Sequence, residues 1–188
     1  NGIPQVHNLP LDKVRPAQHN AFGDQVHFDI GKELADQLVA FSKSHGVTLF
    51  MTLQAAYAAF LSRYSGETDI VVGFPVANRP LSDLNNLMGI FVNTLVLRSD
   101  LSADPLFTDF LARTKDNLTS AYANQAFPFE ILVEELNPER SLSYEPVVQV
   151  HLTMLNQDLG QDQNWYDQTS ARTFIPLPGD LPYSKFDL

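Results

Sequence analysis

The chain has 188 residues, a net charge of −10, no cysteine, and a 44% hydrophobic share that includes 13 phenylalanines. This is the balance of a folded globular chain, one large domain or two small lobes, and it excludes disulfides, thiolate catalysis and Cys-ligated zinc. Nucleic acid and an anionic membrane surface are poor partners for so acidic a chain, and no apolar run reaches the ~18 residues of a membrane span. No signal peptide opens the chain, and a cytoplasmic location is expected because the cysteine-free composition fits the cytosol. The first residues, Asn1-Gly2, carry no Met, and the chain is expected to begin inside a longer protein.

Residues 1–22 hold three prolines and few periodic apolar positions, the pattern of an extended strap on a surface. Gln25–Ile30 alternates and predicts a half-buried strand. Gly31–His45 predicts a helix with Leu34, Leu38 and Phe41 inward and Ala35 and Val39 beside them. Gly46 supplies a left-handed end, and Thr48 an N-cap for a helix to about Tyr64. That helix presents Leu49, Leu53, Ala56, Ala59 and Phe60, and its alanines suggest close packing. Asp69–Gly73 reads as a short buried strand, and Phe74–Leu87 as a loop. Asp104-Pro105 predicts a cap and first helical turn, with Phe107, Phe110, Leu111, Leu118 and Ala121 inward on a helix to about Asn124. Asn117-Leu118-Thr119 matches a glycosylation triplet inside that helix and is set aside. Pro128 starts a second helix, Phe129–Leu136. A strand is expected over Val147–Leu155 with Val148, Val150, Leu152 and Met154 on one face. Asn156–Gln168 reads as an exposed acidic loop without metal-ligand spacing. Thr173–Pro182 has too many prolines for an inner strand, and Lys185–Leu188 looks like a strand beginning. Strands alternating with helices predict an α/β fold, a layered mixed sheet with packed helices.

The most informative stretch is Met88–Arg98. Gly89 suits a bend, and Phe91–Leu97 is apolar except for Asn93 and Thr94, as in a strand covered on both faces. A polar pair there needs hydrogen-bond partners. Two readings stand: a network tying the strand to a neighbouring loop, or a pair lining a channel.

These residues carry a resemblance. Met88–Arg98 is similar to the IGxFVNTxxxR motif of condensation domains of nonribosomal peptide synthetases, in the chloramphenicol-acetyltransferase-like superfamily. Asn124–Glu130 resembles HQDxPFE, with Asn for His and Ala for Asp. Arg140–Pro146 resembles RDxSRNP, keeping Arg140, Ser143 and Pro146. Val148-Gln149-Val150 matches an FQV-like strand, Leu9–Pro16 the LPTDxxRP strap, Asp69–Arg79 the DIxxGxPxxxR motif, and Ser184–Leu188 the KFDL motif. The motifs stand in family order. The resemblance covers nearly the whole chain and implies the C-terminal lobe of such a domain: residues 1–22 the strap between lobes, and 23–188 the lobe, incomplete at its C-terminal end.

The resemblance implies amide formation between aminoacyl or peptidyl thioesters on carrier proteins. The phosphopantetheine is supplied by those carriers, and no cofactor or metal is bound by this lobe. The family's catalytic HHxxxDG belongs to the N-terminal lobe. None of His7, His19, His27, His45 or His151 has a neighbouring His or an Asp four residues on. No catalytic residue is therefore expected here, and the lobe alone is expected to be inactive. Its implied partners are the N-terminal lobe, peptidyl carrier proteins and adjacent synthetase domains. Arg79 would pair across the cleft with the Asp of HHxxxDG, against the alternative of a solvated loop arginine. Asn93, Thr94, Gln149 and Asn156 would line the tunnel between lobes. Gly89, Pro128, Glu130, Arg140 and Pro146 would be structural, with Glu130 beside a positive helix end. The alternative function is a non-catalytic docking module for carriers or neighbouring domains.

Overall fold

The computed structural model describes residues 2–20, 22–24, 26–79 and 81–154. Among the described residues six elements order the fold: α1 (Gly31–Ser44), α2 (Leu49–Ser65), β1 (Asp69–Val76), β2 (Asn93–Asp100), α3 (Phe107–Ala123) and α4 (Phe129–Leu136). A short 3-10 helix, Ser82–Asn86, lies between the two strands. β1 and β2 pair antiparallel from Asp69 opposite Asp100 to Val76 opposite Asn93. On the other edge of β1, Gly73 pairs parallel with His151. Helices packed on a small sheet give the α/β class that the sequence predicts, but among the described residues the sheet is two-stranded and antiparallel, with one isolated parallel bridge at its edge.

Local chemistry sets the helix ends. Gly46, at φ +63°, ends α1 in a left-handed turn. Its N–H reaches the Lys43 carbonyl while the Val47 N–H reaches that of Ser42, the paired bonds of a Schellman end. Two residues later the Thr48 hydroxyl accepts from the Met51 N–H at 3.2 Å and starts α2. The joint is locked inside by the Ser42 and Thr52 hydroxyls, 2.7 Å apart and buried.

The core lies between the sheet and helices α2 and α3. Ile70 and Val72 pack with Ala55, Ala58, Leu61, Phe110, Leu111 and Val150. Phe74, Val76, Leu95 and Leu97 form a second cluster with Leu118. Ala55 and Ala58 are wholly buried, so the alanines of α2 do allow close packing. Gln54, beside them on α2, is also wholly buried, and neither polar atom of its side chain is hydrogen-bonded.

Several expectations are corrected. Residues 26–30 form no strand; Val26 and Phe28 are exposed, because no described strand lies beside them to cover an apolar edge. Leu34 and Val39 on α1 are exposed too, and burial there falls on Ser42 instead. The inward face of α2 runs through Thr52, Ala55, Ala58 and Leu61, leaving Ala56 and Phe60 outside. β1 continues past Gly73 through Pro75, which sits one residue from the strand end where its missing N–H matters least. β2 begins at Asn93, not Phe91, and alternates buried and half-buried or exposed positions. Asp104 does not cap α3: it holds a positive φ of 42°, unlike the extended backbone of an N-cap, and pairs with Arg63 at 3.1 Å. Leu106 takes the cap position. The expected strand from Val147 is irregular. Val147 has φ +67° and the Val148 N–H closes on the Pro146 carbonyl at 2.7 Å, a tight turn that delays pairing. Val147 and Gln149 are buried along with Val148 and Val150.

Gly73 is where this last segment seats. Its N–H donates to Val150 and its carbonyl accepts from Leu152, both at 2.9 Å. A Cβ at Gly73 would sit 2.6 Å from Val148 Cγ1 and 2.8 Å from His151 Cε1. Relieving the overlap requires Val148 and His151, on the segment that makes both ladder bonds, to shift. Gly73→Ala is expected to cost about 1–3 kcal/mol in denaturant unfolding. Gln54→Met keeps the volume of a buried side chain while removing two unpaired polar atoms, and is expected to raise stability by about 1 kcal/mol in the same assay.

Candidate functional site

The polar residues of the Met88–Arg98 stretch hold the loops at one end of the sheet. Asn93, 8% exposed, heads β2 on the buried face. Its Nδ2 donates to the carbonyls of Gln125 at 2.8 Å and Phe127 at 2.7 Å. Its Oδ1 accepts from the N–H groups of Thr94 at 2.9 Å and Phe129 at 3.1 Å. Only this amide orientation satisfies two carbonyls and two N–H groups at once. Phe129 is the first residue of α4, so its N–H has no acceptor within the helix. One side chain thereby joins β2, the α3–α4 connection and the start of α4. Pro128 is the N-cap residue of α4, and Glu130 is exposed in its first turn, where a carboxylate complements the positive helix end. The half-buried Thr94 lies opposite Pro75 on the other face of the strand.

Arg79 and Gly89 come together in the loop between β1 and β2. Asn78 turns the chain there with φ +48°. The Arg79 guanidinium donates to the Leu84 carbonyl and, at 3.5 Å, to that of Gly89. Its carbon lies 4.1 Å from the centre of the Phe91 ring, within cation–π range. Gly89 holds φ +153°, and a Cβ on it would meet Phe91 Cε2 at 3.2 Å. The loop bears apolar side chains outward: Leu81, Leu87, Met88, Ile90 and Val92 are exposed.

Gln149 faces elsewhere. Its amide donates to the carbonyls of Glu145 at 2.6 Å and Gln5 at 3.2 Å, and its Oε1 accepts from the His7 N–H at 3.3 Å. It fastens residues 1–22 to the core. Ser143 donates to the Pro16 carbonyl and His19 to the Leu142 carbonyl, both at 2.6 Å, extending the seam. A cavity of about 120 Å³ adjoins this seam, lined by His7, Asp69 and Gln149 among others. Arg98 is bidentate on Asp69 at 2.8 and 2.7 Å and bonded to the Gly2 carbonyl at 2.6 Å. The Asp69 hydrogen bonds hold the Arg98 proton above its usual affinity. Arg140 is exposed, Pro146 opens the turn at Val147, and Asn156 lies outside the described residues. Among the described residues no cluster suits a metal ion and no helix is long and apolar enough to cross a membrane.

Phe91 and Asp69 are motif positions to which the sequence reading gave no role, and Leu84, which lies outside the motifs, serves only through its backbone carbonyl. The motif aromatic at Phe91 reads equally as strand core.

The family model for the condensation domain matches residues 1–188. A linear gramicidin synthase of Brevibacillus parabrevis is 47% identical over 188 residues, covering all of this chain and 4% of the relative. Gramicidin S synthase 2 of Brevibacillus brevis is 41% identical over 183 residues, 97% of this chain and again 4% of the relative. The chain thus spans only 4% of the length of each of these curated relatives. Among solved structures, a four-domain nonribosomal peptide synthetase bound to AMP and glycine superposes with a TM-score of 0.81 at 29% identity, over 87% of this chain and 12% of that one. The X-domain from teicoplanin biosynthesis, also solved in complex with OxyB, gives 0.70 at 33% identity, over 80% of this chain and 33% of that one.

The Asn93 network yields a test with a defined sign. Asn93→Asp would set a carboxylate against the Gln125 and Phe127 carbonyls, raising its folded-state pKa. The native state then binds the extra proton, so the variant's stability is greatest at low pH and falls as pH rises past the unfolded value of ~3.9. At pH 7 the expected loss is about 2–4 kcal/mol, read by denaturant unfolding at pH 4 and pH 7.

Proposed function

This chain belongs to the condensation-domain family, and from that premise we propose that it is the C-terminal lobe of an amide-forming condensation domain in a nonribosomal peptide synthetase. Residues 1–22 are the strap from a preceding lobe, and residues from 23 onward the lobe itself. The observation that carries the reading is the Asn93 junction: it binds the motif at Met88–Arg98 to the motif at Asn124–Glu130, so motifs distant in sequence make one surface.

In the proposed reaction the amine on one carrier-borne thioester attacks the thioester carbonyl on another. The C–N bond forms, the C–S bond breaks, and the proton lost by the amine ends on the departing pantetheine thiolate, giving an amide and a free thiol. The partner lobe's HHxxxDG handles the amine, and Arg79 pairs with its Asp across the cleft. This chain supplies positioning and water exclusion, which can contribute several kcal/mol. The phosphopantetheine arms belong to the carrier substrates. On this reading the half-buried Thr94 lines the tunnel between the lobes. Asn93 braces that wall, and Gln149 braces the strap. Donor and acceptor carriers and the adjacent synthetase domains are the partners.

A second reading is favoured by one observation: the X-domain of similar fold was solved in complex with OxyB. On that reading this chain is a docking platform without chemistry.

The test is the complete synthetase module with both carriers loaded, scored for the condensed thioester by mass spectrometry. Amide formation is expected. Arg79→Ala should lower it by about tenfold or more with carrier binding retained. Carrier binding without condensation in the unmutated module would favour docking, and unchanged activity in Arg79→Ala would remove the role given to that residue.

A further inference from the structure

We infer that Phe91 is a positioning residue for the proposed condensation reaction, acting through Arg79 to hold residues 81–91 in one shape. The inference rests on the amide-forming reading for its kinetic consequence, and on geometry alone for the clamp itself.

Arg79 reaches three points on this loop: the Leu84 carbonyl at the 3-10 helix, the Gly89 carbonyl at the following bend, and the Phe91 ring where the chain turns into β2. A planar guanidinium can donate in its plane while its face lies on a ring, so all three contacts are compatible. The ring also lies close to Gly89. Gly89 is the one residue type that tolerates φ +153° there and leaves room for Phe91 Cε2. Phe91 is half-buried, while its neighbours Ile90 and Val92 point outward. It is the aromatic side chain that joins the loop's bend to the strand fixed by Asn93 two residues on.

The loop needs such a device. Its outward side chains include Leu81, Leu87, Met88 and Ile90, and exposed apolar groups do not hold a loop in place. Arg79 and Phe91 therefore set where that apolar ridge stands. In a reaction governed by alignment of two tethered substrates, a wandering ridge lowers the fraction of productive complexes and so kcat, with little change in carrier KM.

The experiment uses the complete synthetase module and reads both loop order and rate. Phe91→Leu keeps apolar bulk and removes the π face; Phe91→Tyr keeps the face. Hydrogen–deuterium exchange over residues 81–91 should rise several-fold in Phe91→Leu and stay near the unmutated level in Phe91→Tyr. The Arg79→Lys/Phe91→Leu double variant should exchange no faster than the worse single variant. The kcat should fall about fivefold in Phe91→Leu at unchanged carrier KM and recover in Phe91→Tyr. Should Phe91→Leu fail to fold, Arg79→Lys alone, which keeps charge but cannot bridge and stack, must loosen the same residues. Equal exchange in Phe91→Leu and the unmutated module, or additive effects in the double variant, would overturn the clamp. A module that forms no amide while its loop exchange follows the predicted pattern would retain the clamp and overturn its role in condensation.

Discussion

The arrangement of the loops depends on one buried amide. Asn93 stands at the head of β2 with four hydrogen bonds to the backbone, two of them to the stretch between α3 and α4 and one to the first residue of α4. A buried side-chain amide is costly when unpaired and directional when paired. Asparagine alone offers two donors and a two-fold acceptor on so short a stem. Aspartate would repel the carbonyls, and an apolar residue would leave the helix-start N–H of Phe129 without this partner. The strand thus fixes where α4 begins.

Other polar side chains work in the same way, each on a connection without regular structure of its own. Gln149 and Arg98 fasten the strap, and Arg79 gathers the loop between the strands. The apolar core of α2, α3 and the sheet supplies the general stability, but it does not specify these loops. Several of the motif residues that mark the family hold backbone in place. That is the physical content this chain gives to the family's shared sequence: positioning of connections around a surface where, on the proposed reading, two tethered thioesters meet.

Legibility in the sequence followed the range of the interaction. The Gly46 end and the Thr48 cap depend on residues within one turn, and both are readable. The Asp104-Pro105 signal is equally local but misleads, because Asp104 finds Arg63, 41 residues away, as its partner. The polar pair in an apolar strand announced that Asn93 needed partners, and a network with a loop was one of two readings. Its partners, more than 30 residues on, were not derivable from spacing. Helix faces failed where tertiary contacts decide: α1 reads as amphipathic, yet Leu34 and Val39 are exposed. The alternation of Gln25–Ile30 is a pattern that needs a neighbouring strand to become one. Fold class was readable because it rests on element order, which tolerates all these errors.

The central claim is that Asn93 holds the start of α4, and the amide of Phe129 tests it most directly. A first-turn N–H in a half-exposed helix has no acceptor of its own and ordinarily exchanges fast. The measurement is residue-resolved hydrogen exchange on the unmutated protein. Phe129 is predicted to exchange much more slowly than Glu130 and Ile131, the next two amides of that turn, because Asn93 Oδ1 accepts from it at 3.1 Å. Exchange of Phe129 as fast as its neighbours would contradict the claim and return the start of α4 to local capping alone.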